Sequence, residues 1–337
     1  MLAQIRLPVT ERSQIGAARR AAVTLCESHG LDTTQAGKLA LCVTEAGTNI
    51  VKHAGSGQIL LRVLERGATR GIEMLALDRG PGIVNVGASL RDGASSAGGQ
   101  GIGLGAMARL GEGFEMYAPP GRGTAVRLEL WPQPPPAPTE TALGVVCLPK
   151  AGETEPGDAW TVVDVGARRW VLVADGLGHG PEAARAAHAA TRVLESQPQD
   201  GPAAVIQRCH RALAPTRGAA VGVASLALND ERGSFAGVGN ICCCLEAGQD
   251  RRQLISHHGT LGHTLRRVQE FEFAFPSGGL LIFHSDGLAT HWHLGEYPGL
   301  AGRHPGTIAG VLYRDHDRGR DDVTVVVIRN VPPAKAT

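Results

Sequence analysis

Very little in this sequence of 337 residues is one-sided. Acidic and basic residues almost cancel, leaving a formal charge of +1, so the long-range field that draws a protein to nucleic acid or to an anionic membrane is missing. No stretch reaches the roughly 18 apolar residues of a membrane-spanning helix. The start, Met1-Leu2-Ala3-Gln4-Ile5-Arg6, lacks the long apolar core of a secretory signal. These absences argue against nucleic acid and membrane as partners and predict a cytoplasmic chain that works on proteins and small ligands.

Cysteine offers no framework either. The seven thiols, Cys26, Cys42, Cys147, Cys209 and the run Cys242-Cys243-Cys244, form no CxxC pair and are odd in number. Successive strand residues point to opposite faces, so the run of three is unable to converge on one ion. It reads as a buried strand in a reducing compartment. His257-His258 and His291-Trp292-His293 read as solvated loop residues.

What is there is enough for two cores: 43% of the residues are hydrophobic, and the length suits two domains. The break falls at Trp131-Pro132-Gln133-Pro134-Pro135-Pro136-Ala137-Pro138, which fits neither a helix interior nor a central strand. We expect a first domain over 1–131, a linker over 132–140 and a second domain over 141–332. In the first, helices are expected from Arg12 to His29 and, behind an Asp32-Thr33-Thr34 cap, from Thr33 through Val51, with a third over Gly103–Leu110. Strands are expected near Ala3–Pro8, Gln58–Leu64, Ile72–Leu77, Gly113–Tyr117 and Thr124–Leu130. The class is α+β, with helices on one face of a mixed sheet. After the linker, eight short β-branched runs and helices over Pro181–Glu195 and Ala203–Leu213 predict two sheets packed face to face with helices outside.

The first domain places Glu45 and Asn49 one helical turn apart, hence on one face. The strand Ile72–Leu77 delivers Asp78 to the turn Asp78-Arg79-Gly80-Pro81-Gly82, where glycine permits close approach of backbone to ligand. Gly98-Gly99-Gln100-Gly101-Ile102-Gly103-Leu104-Gly105 then opens a helix and offers its N–H groups to phosphate. A lone glycine-rich run reads equally well as a surface loop; the ordered set ExxxN, DxGxG, GxGxG and Gly123-Thr124 does not. In that order the motifs resemble the GHKL ATP-binding fold of histidine kinases and anti-sigma factors, and over residues 3–131 they look like the RsbT-type switch Ser/Thr kinases of stressosomes. The resemblance implies ATP with Mg²⁺. Asn49 would bind the metal, Asp78 would accept from the adenine amino group, and Gly80 and Gly82 would shape the base pocket. Gly101, Gly103 and Gly105 would cradle phosphates, Thr124 would support the base and Glu45 would be the general base.

The second domain carries four aspartates at strand ends: Pro156-Gly157-Asp158, Ala174-Asp175-Gly176-Leu177-Gly178-His179-Gly180, His284-Ser285-Asp286-Gly287 and Arg320-Asp321-Asp322-Val323-Thr324. Several carboxylates converging from different strands are what two hard divalent cations require. These motifs, with Ala236-Gly237-Val238-Gly239-Asn240, resemble the metal-dependent PPM phosphatases, specifically the SpoIIE branch and RsbX-type phosphatases, over residues 141–330. The resemblance implies two Mn²⁺ or Mg²⁺ held by Asp158, Asp175, the Gly176 carbonyl, Asp286 and Asp321, with Asp175 bridging and Asp322 supporting. The chain departs from larger PPM phosphatases in having no arginine beside the first aspartates. Arg217 is the candidate for that anchor, and His179 reads either as a general acid or as loop packing.

Together the two resemblances imply a bifunctional switch that phosphorylates and dephosphorylates Ser/Thr of STAS-domain proteins or sigma-factor regulators. The alternatives are a phosphatase fused to an ATP-dependent binding module without kinase activity, and a scaffold with two vestigial sites.

Overall fold

The second helix starts where the sequence supplies a cap. Asp32 accepts the Gln35 N–H at 2.8 Å, satisfying one of the orphan donors of a new helix, and α2 (Thr33–Asn49) runs back along α1 (Arg12–Ser28). In the computed structural model, which describes residues 4–89, 103–133, 141–196, 200–227, 230–248 and 250–331, the helical path does not continue in α geometry to Val51. It changes after Asn49 into a π-turn over Ile50–Ala54, closed by Gly55 at φ 77°. Such single π-turns are frequent at functional sites, and this one directly follows the two candidate residues of α2.

These helices lie on one face of a sheet of β1 (Gln4–Val9), β2 (Gly57–Arg66), β3 (Thr69–Asp78), β4 (Glu112–Tyr117) and β5 (Thr124–Leu130), ordered β1-β2-β3-β5-β4. The short α3 (Val86–Ser89) and α4 (Gly103–Leu110) precede β4. The expected mixed sheet is instead antiparallel at every described pairing. The tight turn at Gly67 (φ 60°) between β2 and β3 permits only that arrangement. Alternation puts Ile59, Leu61, Val63, Ile72, Met74 and Leu128 against Ala18, Ala22, Leu39 and Val43 of the helices.

The opposite face of the sheet is charged and yet buried. Arg62 pairs with Glu73 at 2.8 Å, Arg127 with Glu73 at 2.7 Å and also with Glu129, and Arg66 with Glu129 at 3.0 Å. Glu73 and Glu129 are direct cross-strand partners, a destabilising placement for like charges that Arg127 relieves by bonding both. Burial is supplied by α7 (Pro305–His316), far along the chain. A Cβ on its Gly306 would meet Glu73 and Arg127, and Gly310 faces Leu75 and Leu77. Thr307 Oγ1 donates to Glu115, and Tyr313 Oη to Gln58 at 3.0 Å. Accordingly one compact unit comprises Leu2–Ala137 with His293–Arg314, and the other Pro138–Trp292 with Asp315–Thr337.

This buried face has a pH consequence. Burial lowers the His304 imidazole to about 3, helped by Arg127. Burial alone would raise Glu73, but Arg62 and Arg127 outweigh it and hold the carboxyl at about 2. An imidazole kept neutral when folded costs stability once the unfolded chain can take up the proton. Its contribution is therefore full above the ordinary value of 6.5 and falls as the pH drops toward 3. Glu73 adds to the loss only below its ordinary 4.5. Between pH 6.5 and 4.5 His304 should impose a slope of up to about 1.4 kcal/mol per pH unit. His304→Asn keeps an acceptor for the Gly306 N–H that Nδ1 now receives at 3.0 Å and should flatten the slope. Urea midpoints across that range measure it, and parallel slopes in parent and variant would refute the assignment.

The second unit is a sandwich. One sheet is ordered β15-β10-β9-β8-β7 and the other β12-β11-β16-β17-β6. In chain order the strands are β6 (Thr141–Leu148), β7 (Asp158–Val165), β8 (Arg168–Gly176), β9 (Ala219–Ala227), β10 (Arg232–Val238), β11 (Cys242–Ala247), β12 (Asp250–Leu254), the small pair β13 (Gly259–Thr260) and β14 (Thr264–Leu265), β15 (Phe271–Ala274), β16 (Leu280–His284) and β17 (Val323–Asn330). Val171, Val173 and Phe235 of the first sheet meet Val145, Cys243, Phe283 and Val326 of the second. Trp170 and Leu172, on the other face of β8, pack under α5 (Pro181–Ser196) and α6 (Pro202–Ala212). Being covered on both faces is why Trp170–Ala174 is apolar without interruption. The cysteine run alternates as expected, Cys243 in the sheet-to-sheet core and Cys244 beside Arg251. All three are free thiols whose burial raises their pKa.

Among the described residues, no helix is long and apolar enough to cross a membrane.

Candidate active sites

In the first unit, α2 presents Glu45 and Asn49, both half-buried, to the start of α4. A Cβ on Gly103 would lie 3.1 Å from Glu45 Oε2 and 3.7 Å from Asn49 Nδ2. Glycine therefore leaves a gap between an acid, an amide and the N-terminal turn of a helix, whose free N–H groups favour an anion. Gly105 is buried within α4. Gly101 and the preceding glycines of the run lie outside the described residues.

Asp78 ends β3. Its Oδ1 accepts the N–H of Gly80 at 2.8 Å and of Thr124 at 3.1 Å, so the carboxylate is oriented by the backbone of two segments through a single oxygen. The bend it leads into is stitched to the β4–β5 connection by Ile83 N–H to Ala118 O, Gly121 N–H to Pro81 O and Gly123 N–H to Gly80 O, at 2.7 to 2.9 Å. Gly82 (φ 70°) has no room for a side chain, since its Cβ would sit 2.2 Å from Pro119 O. Gly80 packs on Ala54 of the π-turn, which ties the Asp78 bend to the end of α2. The structure thus draws Glu45, Asn49 and Gly103 into one group and Asp78, Gly80, Gly82 and Thr124 into a second.

In the second unit, the carboxylates gather at one end of the sandwich. Asp158 and Asp175 are direct cross-strand partners at the start of β7 and the end of β8. Burial raises both carboxyls. The charges of Asp322 and Asp286 add to the rise at Asp158, and those of Asp158, Asp286 and Asp321 at Asp175. Ser285 Oγ donates to Asp158 Oδ2 at 2.7 Å and receives the Thr324 N–H at 2.9 Å. Asn240 Nδ2 donates to Asp286 Oδ2 at 2.8 Å, and its nearness opposes the rise at Asp175. Asp322 accepts the Lys150 N–H at 2.9 Å and lies against Gly157. Gly176 N–H donates to Gly157 O, and a Cβ there would strike the Ala183 carbonyl.

None of the four candidate aspartates is in an ion pair among the described residues. The donor set is oxygen only and its mutual repulsion unrelieved, which fits a hard divalent cation. The side chains do not close into a ready-made shell: among the described residues, no three of His, Cys, Asp or Glu are grouped as a metal site. Arg217 lies near the Asp175–Gly180 turn, with Nη1 3.4 Å from where a Gly178 Cβ would be. His179 Nδ1 lies 2.8 Å from Glu153 Oε1. Sequence reasoning assigns no role to Asn240 or Ser285, although both lie within the motifs over residues 236–240 and 284–287; the Gly239 that precedes Asn240 adopts φ 93°.

Comparison with known proteins matches two families along the chain. The histidine kinase-like ATPase domain family matches residues 7–130, and the stage II sporulation protein E (SpoIIE) family matches residues 166–331. The serine/threonine-protein kinase RsbT of Bacillus subtilis (strain 168) is 33% identical over 118 residues, which are 35% of this chain and 88% of the relative. A solved chain from work on the bacterial stressosome, as a modular system adapted to control secondary messenger signalling, is 30% identical with a TM-score of 0.53, covering 56% of this chain and 99% of that one. RsbX in complex with magnesium shares the fold at 21% identity and a TM-score of 0.50, over 56% of this chain and 94% of that one. Residues 166–331 thus match the SpoIIE family, and by its N-terminal domain the chain belongs to the RsbT family of histidine kinase-like ATPase domains.

Proposed function

We propose that this chain is a switch enzyme that transfers phosphate from Mg-ATP to Ser or Thr of a STAS-domain protein or sigma-factor regulator and removes it again with a two-metal phosphatase site. The observation that carries the reading is the pairing, in one chain, of Glu45 and Asn49 facing the glycine turn at Gly103 with four carboxylates gathered at the end of a sandwich. The similarity to a protein named as a Ser/Thr kinase supports phosphoryl transfer at the first site.

At that site Asp78 Oδ2 is left to accept from the adenine amino group, because both backbone N–H groups bind Oδ1. Asn49 would bind Mg²⁺ on the triphosphate. Gly101, Gly103 and Gly105 would receive its phosphates, and Glu45 would take the proton of the attacking hydroxyl. At the second site Asp158, Asp175, Asp286, Asp321 and the Gly176 carbonyl would hold two Mn²⁺ or Mg²⁺. Bound there, the cations supply a water nucleophile active near neutral pH and offset charge on the transferring phosphoryl group. Ser285 would fix the rotation of Asp158, Asn240 would orient Asp286, and Arg217 would anchor the phosphate.

A time course of γ-labelled Mg-ATP with a STAS protein tests the whole reading. With the parent enzyme, label should appear on the protein and turn over; with Asp286→Asn it should accumulate. Absence of label in both, with pre-phosphorylated STAS protein still dephosphorylated, would refute the kinase assignment.

A further inference from the structure

The base end of the candidate nucleotide pocket is buttressed by a residue that lies outside the ATPase match, within the stretch matched by the SpoIIE family. Arg314, near the end of α7, is 4% exposed. Its Nη1 donates to the Asp78 carbonyl at 3.1 Å, and its own carbonyl accepts from Arg79. The same guanidinium lies 2.9 Å from where a Gly123 Cβ would be. Gly123 is held at φ 73°, with its Cβ position 2.1 Å from Asp78 O. Arg314 thus grips both segments, Asp78-Arg79 and Gly123-Thr124, whose N–H groups and carbonyls set the direction of the Asp78 carboxylate. A buried guanidinium is costly unless its bonds are made, so this grip is a specific one.

The residues that follow Arg314 in sequence pair beside the second candidate site. Two residues on, the His316 carbonyl accepts the Ala289 N–H at 2.9 Å, and the Arg318 N–H donates to Gly287 O at 2.9 Å. Leu288 and Asp317 form a β-bridge. Residues 316–318 therefore pair with the segment that follows Asp286, and Asp321 comes three residues later.

We propose that Arg314 is a positioning residue of the nucleotide site and that, through residues 315–321, occupancy of that site is coupled to metal binding at Asp286 and Asp321. The inference rests on the reading of the first site as an ATP site. A displacement of the Asp78 bend on binding pulls on Arg314, and the next seven residues carry both the strand bridge beside Asp286 and Asp321 itself. Linkage makes the effect reciprocal: if nucleotide changes metal affinity, metal changes nucleotide affinity by the same factor.

The test uses the full chain, calorimetry with Mg-ADP, and hydrolysis of p-nitrophenyl phosphate against buffered free Mn²⁺. In the parent, saturating ADP should shift the half-saturating Mn²⁺ by about 5-fold or more. Arg314→Ala should weaken ADP binding roughly 10-fold or more and remove the shift. Arg314→Lys keeps the charge without the forked donors and should fall between the two, which also serves should the alanine variant fail to fold. Failure of the parent to bind ADP would remove the ATP reading itself. ADP binding equal in parent and Arg314→Lys, or a Mn²⁺ dependence that ADP leaves unmoved, would overturn the role of Arg314 while leaving that reading intact.

Discussion

Asp286→Asn is expected to lower Mn²⁺-dependent hydrolysis of a phosphoprotein by at least about 100-fold, since even residues that only orient metal ligands are worth 10- to 100-fold. The same variant should still bind nucleotide. The substitution is nearly isosteric, and an amide can keep a hydrogen bond to Asn240, which now donates to Asp286 Oδ2 at 2.8 Å. What it removes is one negative charge from a cluster in which the charge of Asp286 helps raise both Asp158 and Asp175. In metal-free protein that removal relieves repulsion, so the variant should unfold thermally no earlier than the parent. The two readouts separate chemistry from folding: lost activity with an unchanged or higher melting temperature identifies Asp286 as a ligand, and undiminished hydrolysis would sink the assignment of the site.

The motifs were legible because each needs a residue type that few other contexts demand. Gly82 must be glycine, for a Cβ would lie 2.2 Å from Pro119 O, and Gly287 must be, with Asp322 O at 2.0 Å from its Cβ position. Strand boundaries were legible where a polar residue opens an apolar run, as at Asp158 and Thr124, where β7 and β5 begin. The helix α7 was not. Its residues from Pro305 to Arg314 are all buried, so it has no polar stripe and no helical period to read, and Gly306 and Gly310 look like breakers. They are small because the helix lies close on the charged face of the first sheet. For the same reason nothing in the alternation shows that Arg62, Glu73, Arg127 and Glu129 are covered, although each is at most 5% exposed. The cover that buries them arrives more than 160 residues later in the sequence. A single-sequence pattern carries no trace of such a contact. The π-turn after Asn49 was equally hidden, since Ile50-Val51-Lys52-His53 suits either helical geometry.

Glu45→Gln should separate binding from transfer at the first site. General base catalysis contributes about 100- to 10,000-fold, so label transfer from ATP should fall by that order while the ADP dissociation constant stays within about 3-fold, a difference of under 1 kcal/mol. The geometry favours this split. Glu45 Oε2 is the atom nearest the open Cβ position of Gly103, whereas the amide of Asn49 lies farther off, at 3.7 Å. The base end of the pocket is held independently, by Asp78 with Gly80 and Thr124. A glutamine at 45 keeps the volume and one acceptor, so the turn at Gly103 has no reason to move. If transfer persists at the parent rate, the proton leaves by another route and Glu45 is not the base. If the parent itself never transfers label yet binds ADP, an acid facing the glycine turn has been kept without chemistry to perform. The first unit is then a nucleotide-dependent binding module, and the phosphatase carboxylates are left as the chain's one catalytic centre.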